Sequence, residues 1–373
     1  MTGHLDPCKK ELDLDPRERE LLTDLVPAFE LGLPFRCHRH ADAEASRLRV
    51  LRWVRDRGLF ASDEAFDWFA AWHTSEFVAN AYPRATPGEG MDLVGRFMAV
   101  TIVLDDELDE LRSPTTCVHH IRPYLDIVAC GGEHLPAAAD RPLHAAVAEV
   151  IRDCRARADD RWWARAATAW QASLFAIANE VTDRRMRRGP APRDIHLAIR
   201  RAGGFMIPFL DVVEPAAGGG IEPAAVAYHS AHLIRMRHLV VDLGDQINDL
   251  YSLPKELARG QTNNLVMVVS AETGQPIPTA ARTVAGLVEA HARRLRDLRG
   301  ELPQLCDALE LSVADRDRTL GYGDALLHWV AGYQRWHRAS PRYRDALIQR
   351  PPAGPWAYAD LNADNDSRSE NQQ

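Results

Sequence analysis

The chain has 373 residues, 46% of them apolar and 26% charged, with a formal net charge of −8. That length and apolar content are enough for a large buried core, in one big domain or two. The negative balance argues against nucleic acid as a partner, since phosphate backbones select basic faces, and with no apolar run of 18 or more residues no helical membrane span is expected.

In chain order, residues 1–24 are polar and are expected to be mobile, ahead of a folded domain over 25–350. The start, Met1-Thr2-Gly3-His4-Leu5-Asp6-Pro7, lacks a basic region followed by an apolar segment, so no secretory signal is expected and the cytoplasm is the default compartment. Residues 48–54 and 65–72 carry helical apolar spacing, as do the long stretches after them. Turn signals fall at Tyr82-Pro83, Pro87-Gly88-Glu89-Gly90, Gly131-Gly132, Gly189-Pro190-Ala191-Pro192 and Gly218-Gly219-Gly220, none long enough for an interdomain linker. The reading is a single all-α domain without internal repeats, a bundle with an apolar cavity between helices. Residues 351–373, rich in Asp, Asn, Ser and Gln toward the end, are expected to form a flexible tail.

Within that bundle an apolar run over 98–103 leads into Asp105, Asp106, Glu107, Asp109 and Glu110. Asp105 and Asp109 stand at i, i+4, so a core helix would deliver both carboxylates to the rim of something concave. The plainer alternative is an ordinary Asp-rich helix end. Farther on, Arg184-Arg185-Met186-Arg187-Arg188 precedes Gly189-Pro190 and reads as a solvated helix end.

The most informative stretch is Asn248 to Glu256. Successive i+4 steps drift only about 40° around a helix, so Asn248, Ser252 and Glu256 stack an amide, a hydroxyl and a carboxylate along one face. Three hard oxygen donors suit a divalent cation, and magnesium in particular, which shares a few protein donors with waters and substrate phosphates. An exposed polar helix face is the alternative reading. Asp245 and Asp249 flank this motif, read equally well as helix-surface carboxylates, and are left out of the metal set. Pro254 removes a helix hydrogen bond to Leu250 and threatens a kink that would displace Glu256. Six cysteines, at 8, 37, 117, 130, 154 and 306, show no C-x-x-C spacing and read as reduced thiols. The histidine pairs 38/40, 119/120 and 229/232 lack a second cluster at zinc-finger spacing and are discounted as ligands.

Taken together, D-D-x-x-D at 105–109 and N-D-x-x-S-x-x-x-E at 248–256 resemble the two metal motifs of bacterial-type class I terpene synthases. Arg342-Tyr343, preceded by Trp329, Gly332 and Trp336, is similar to that family's Trp-rich helix ending in an Arg-Tyr pair. Arg200 with Gly203-Gly204 resembles its diphosphate-sensing arginine and the small residue at a helix break. Pro34, Trp53, Gly58-Leu59 and Tyr82-Pro83 match its opening segment, and order and spacing agree from about residue 25 to 348. Departures are the aliphatic Ile102-Val103-Leu104 before the first motif and His196 where tyrosine is usual.

The resemblance implies the isoprenoid synthase fold, with the metal motifs facing one another across a cavity mouth, and a magnesium-dependent lyase that ionises a prenyl diphosphate and cyclises the cation. It implies three magnesium ions, with manganese as a substitute. Asp105 and Asp109 would hold one metal pair with Asp106 as an orienting carboxylate, and Asn248, Ser252 and Glu256 would hold another ion. Arg200, Lys255 and Arg342 would donate to the diphosphate, Tyr343 would add a hydroxyl, and Gly204 would sit at the break. Trp336 is the leading pocket aromatic, with core packing as its alternative, and Phe97 is a second candidate. Farnesyl diphosphate is the favoured substrate, with geranylgeranyl diphosphate next. A chain-elongating transferase would be expected to carry a second D-D-x-x-D, and a silent prenyl-diphosphate binder to have lost a ligand. Relatives suggest a monomer or homodimer.

Overall fold

The computed structural model describes residues 31–344 apart from 61, 110, 112, 137–140, 188 and 259–262, and leaves out the side chains of Asp109, Ala258 and Arg344. The segments read as mobile ends, 1–24 and 351–373, lie outside the described residues. Among the described residues every regular element is helical. In order these are α1 (Ala43–Asp56), α2 (Asp63–Ala71), α3 (Thr74–Ala81), α4 (Glu89–Asp109), α5 (Pro114–Ala129), α6 (Pro142–Arg155) and α7 (Asp160–Met186). Four short helices follow, α8 (Arg193–Ala202), α9 (Met206–Asp211), α10 (Val213–Ala216) and α11 (Ala225–Tyr228). The chain then runs through α12 (Ala231–Ala258), α13 (Leu265–Thr273), α14 (Ile277–Ala308), α15 (Val313–Ala339) and α16 (Pro341–Arg344).

The local chemistry explains several starts. Ser62 Oγ accepts from Ala65 N at 3.1 Å and Asp159 Oδ1 from Trp162 N at 2.7 Å, each occupying an amide that the first helical turn leaves unpaired. Proline opens α5 and α6, where its missing N–H costs nothing.

Helix α12 lies at the centre, packed on α14 and α15, while α15 also packs on α3 and α4 on α1 and α6. Leu233, Met236, Val240, Leu243, Ile247 and Leu250 are wholly buried at three- and four-residue intervals along α12, the spacing of a core-facing stripe. Its other faces are covered too, since Asp242, Asp245, Asp249 and Ser252 are also buried. Carboxylates so enclosed must find partners or stay protonated, which turns attention to what surrounds them.

Candidate active site

One cavity of about 140 Å³ gathers most of the residues singled out above. Asp105 enters it from α4; Asn248, Ser252, Lys255 and Glu256 from α12; Arg200 and Gly204 from the end of α8; and Arg342, Tyr343 and Trp336 from the last helices. Phe77, Met98, Ile102, Phe205, Phe209 and Tyr333 form its apolar lining. Asp106 stands just behind, receiving two hydrogen bonds from Arg342 at 3.0 and 2.7 Å. The forked pairing ties the first acidic motif to the last helix.

The helix break after α8 is built from backbone conformation. Gly204 has φ +61° and Phe205 φ +52°. The left-handed region is open to glycine and strained for phenylalanine, and Phe205 is held there fully buried with its ring 5.3 Å from Trp170. The turn exposes Gly203, Gly204 and Phe205 to the cavity.

Arg200 sits among acceptors, 3.2 Å from Asn248 Oδ1, 3.1 Å from Asp249 Oδ1 and 3.7 Å from Asp245. Burial alone would weaken its charge, but the Asp249 and Asp245 carboxylates outweigh that and hold its pKa well above the usual value. Asp249 also accepts from Leu265 N at 2.8 Å and lies 3.4 Å from His196 Nε2. Burial pushes its carboxyl up, yet Arg200 and His196 bring it below the ordinary value. At Asp245 burial outweighs the pull of Arg200 and drives the pKa well up, and neither carboxylate oxygen completes a hydrogen bond. Asp105 is pushed up to about 6, by burial first and then by the neighbouring charge of Asp106.

The donor set fits a divalent cation. Ser252 Oγ is buried and completes no hydrogen bond, though it lies close enough to Glu256 to favour that carboxylate's charged form. Glu256 is raised by burial and by Asp249, and is anchored by Asn264 Nδ2 at 2.8 Å. Among the described residues no three His, Cys, Asp or Glu side chains gather as a cation cage, so the amide of Asn248 and the hydroxyl of Ser252 are needed to complete an oxygen site.

The family model described as "Terpene synthase family 2, C-terminal metal binding" matches residues 96–294, a span that holds both motifs. The chain belongs to the bacterial class I terpene synthases. Pristinol synthase of Streptomyces pristinaespiralis is 29% identical over 350 residues, covering 92% of this chain and 92% of that protein. The 7-epi-alpha-eudesmol synthase ((2E,6E)-farnesyl diphosphate cyclizing) of Streptomyces viridochromogenes is 27% identical over 316 residues, covering 84% and 91%. The crystal structure of germacradien-4-ol synthase from Streptomyces citricolor superposes with a TM-score of 0.74 at 25% identity, covering 84% of this chain and 99% of that one.

The synthase corrects several expectations. Phe97 does not line the cavity; it is buried against Trp170 and Phe209, at 5.5 and 5.1 Å between rings. Met98, Thr101, Ile102 and Asp105 share the cavity face of α4, and at about 100° per residue Phe97 falls roughly 80° from Asp105, turned toward α7. Pro254 does not displace Glu256, because α12 runs through it to Ala258 and Glu256 still reaches the cavity. Asp245 and Asp249 are buried rather than on the surface. Arg184 is not merely part of a solvated helix end; it lines the cavity, paired with Glu180 at 3.1 Å. Trp336 does line the cavity and is a packing residue as well, its indole N–H donating to Trp72 O at 2.8 Å. Asp109 ends α4, and its side chain lies outside the described residues.

Sequence reasoning missed Glu180, Tyr333, His337 and Asn264. His337 is wholly buried, and burial lowers its pKa to about 3. For Asn264 the only local signal is a polar pair set directly before the apolar run 265–269, and His337, flanked by Trp336 and Arg338, carries none. Among the described residues no helix is long and apolar enough to cross a membrane.

Proposed function

We propose that this synthase ionises farnesyl diphosphate with the aid of magnesium and cyclises the resulting allylic cation to a terpene, releasing diphosphate. The observation that carries the reading is a single cavity whose wall combines oxygen donors and cationic side chains with apolar and aromatic residues. The wording "farnesyl diphosphate cyclizing" in the name of a relative of matching length favours the fifteen-carbon substrate.

Asp105 on α4, with Asp109 one turn on and Asp106 oriented by Arg342, would hold magnesium on one side; Asn248, Ser252 and Glu256 would hold it on the other. Bound there, magnesium supplies Lewis-acid stabilisation of the charge that develops on the leaving group. Arg200, Lys255, Arg342 and Tyr343 donate hydrogen bonds to diphosphate oxygens, with the arginines suited to forked contact. The carbon–oxygen bond breaks with its electron pair going to the diphosphate. The strongly basic Arg200 stays charged throughout, so it stabilises that charge without giving up a proton. Trp336, Tyr333, Phe77 and Phe209 then present ring faces and edges to the cation, each face worth about 0.5–2 kcal/mol, and exclude water until the ring closes.

The test is to incubate the purified chain separately with geranyl, farnesyl and geranylgeranyl diphosphates, with and without magnesium, and to analyse solvent extracts by gas chromatography and mass spectrometry. A magnesium-dependent cyclic product from farnesyl diphosphate is expected. A cyclic product from geranylgeranyl diphosphate alone would replace the substrate, and longer linear diphosphates formed with isopentenyl diphosphate would replace the reaction. Asp105→Ala should abolish product while leaving the helical circular-dichroism spectrum intact.

A further inference from the structure

We propose that His337 is a positioning residue that decides which end of the Asn248 amide faces the cavity. The inference rests on the reading that Asn248 contributes its oxygen to a divalent cation.

The hydrogen bonds leave one arrangement. His337 Nδ1 lies 2.9 Å from Tyr333 O, and a carbonyl only accepts, so Nδ1 carries the proton. Nε2 lies 3.2 Å from Asn248 Nδ2; the amide nitrogen is a donor, so Nε2 is the bare acceptor of a neutral ring. At its other end Asn248 Oδ1 accepts from Arg200 at 3.2 Å. Arginine has no acceptor, so a rotated amide would set donor against donor there. Tyr343 fixes the histidine ring rather than the amide: it stacks on His337 at 4.3 Å between centroids and 21° between planes, while its hydroxyl, 3.5 Å from Asn248 Nδ2, can donate or accept and favours neither end. Trp336 closes the ring from a second side at 4.8 Å, and His337 has no exposed surface.

The two ends of an asparagine amide have nearly the same shape and opposite polarity. Turned by 180°, Asn248 would offer NH2 where a cation needs oxygen. Arg200 opposes that rotation, but it also faces Asp249 and Asp245 and is the group assigned above to the diphosphate. Once Arg200 turns to the leaving group, His337 is the constraint that stays, because its own orientation depends on the α15 backbone and on buried rings. Partners of this kind, one bond removed from a metal, set ligand orientation and typically change metal affinity by about 10- to 100-fold.

The experiment is calorimetric titration of the full chain with magnesium and inorganic diphosphate, which needs no turnover. His337→Phe keeps a ring against Tyr343 and removes the acceptor, and it should weaken magnesium–diphosphate binding about 10- to 100-fold. Asn248→Asp presents oxygen at both ends, so adding His337→Phe in that background should cost little. An equal loss in both backgrounds would make His337 a packing residue and overturn the proposal. Wild-type affinity in His337→Phe, with binding lost in Asn248→Ala, would overturn it while leaving Asn248 as a ligand. Unchanged binding in Asn248→Ala would sink the ligand reading and the inference with it. Long-range ¹H–¹⁵N spectra of the unmodified chain give a check independent of any variant's folding. The His337 ring should carry its proton on Nδ1, and a proton on Nε2 would refute the arrangement.

Discussion

Gly332 offers the sharpest test of how α15 is seated, and with it the placement of Tyr333 and Trp336. The residue lies in mid-helix, where alanine is ordinarily better than glycine by about 1 kcal/mol. Here a Cβ would collide with Ala81 N and stand 2.7 Å from both Ala81 Cα and Asn80 C. Carbon atoms in contact prefer about 3.5–4.0 Å, so α3 and α15 would have to separate by roughly 1 Å. All three atoms are backbone, so no side chain can swing away. Overpacking of this sort costs about 1–3 kcal/mol after partial relaxation, and a rigid crossing puts Gly332→Ala at or above the top of that range, enough to reverse the helix-propensity gain. Gly286, in the interior of α14 with nothing within 4 Å of a built Cβ, is the control, and Gly286→Ala should stabilise by about 0.5–1 kcal/mol. Urea unfolding followed by circular dichroism measures both. A Gly332→Ala chain as stable as wild type would refute the close crossing and the geometry of the cavity wall built on it.

Other outcomes follow from single contacts. Asn264 caps α13 through Val266 N and holds Glu256 through its amide. Asn264→Ala should lose about 1 kcal/mol of stability and raise the magnesium concentration needed for half-maximal turnover. Asn264→Ser should restore the cap but not the magnesium requirement; an unchanged requirement in both would detach Asn264 from the site. Trp336→Leu should alter product ratios and lower the unfolding midpoint together, since the ring both lines the cavity and bonds Trp72 O; an unaltered product profile would leave it a packing residue only. Outside the cavity lining, burial pushes Glu214 up to about 8 against the pull of Arg165. An acid whose folded pKa is raised favours the folded state below its unfolded value of about 4.3 and loses that contribution as pH rises through the folded value. The unfolding midpoint of Glu214→Gln relative to wild type should therefore improve as pH rises from about 4.3 to about 8 and level off above that, and a relative decline would mean that the pairing with Arg165 outweighs burial.

The sequence alone determined what depends on neighbours along a helix. Asn248, Ser252 and Glu256 share a face because helical spacing puts them there, and the same local rule brings Asp105 out of an apolar run; Arg200, Lys255, Arg342 and Tyr343 were legible only beside those motifs, through resemblance. The rule also held the correction to Phe97, since Met98, seven residues before Asp105, lies closer to its face than Phe97 does. What the tertiary structure alone decided is which of these faces meet and what stands behind them. His337 touches Asn248 across 89 positions, Asp106 meets Arg342 across 236 and Trp336 bonds Trp72 across 264. Periodicity is silent about such pairings, because the rotation and separation of two helices are set by packing over their whole length. The burial of Asp245 and Asp249 has the same origin. A carboxylate on α12 is a surface group or a buried one according to whether other helices close over it, and that depends on residues far away in the chain.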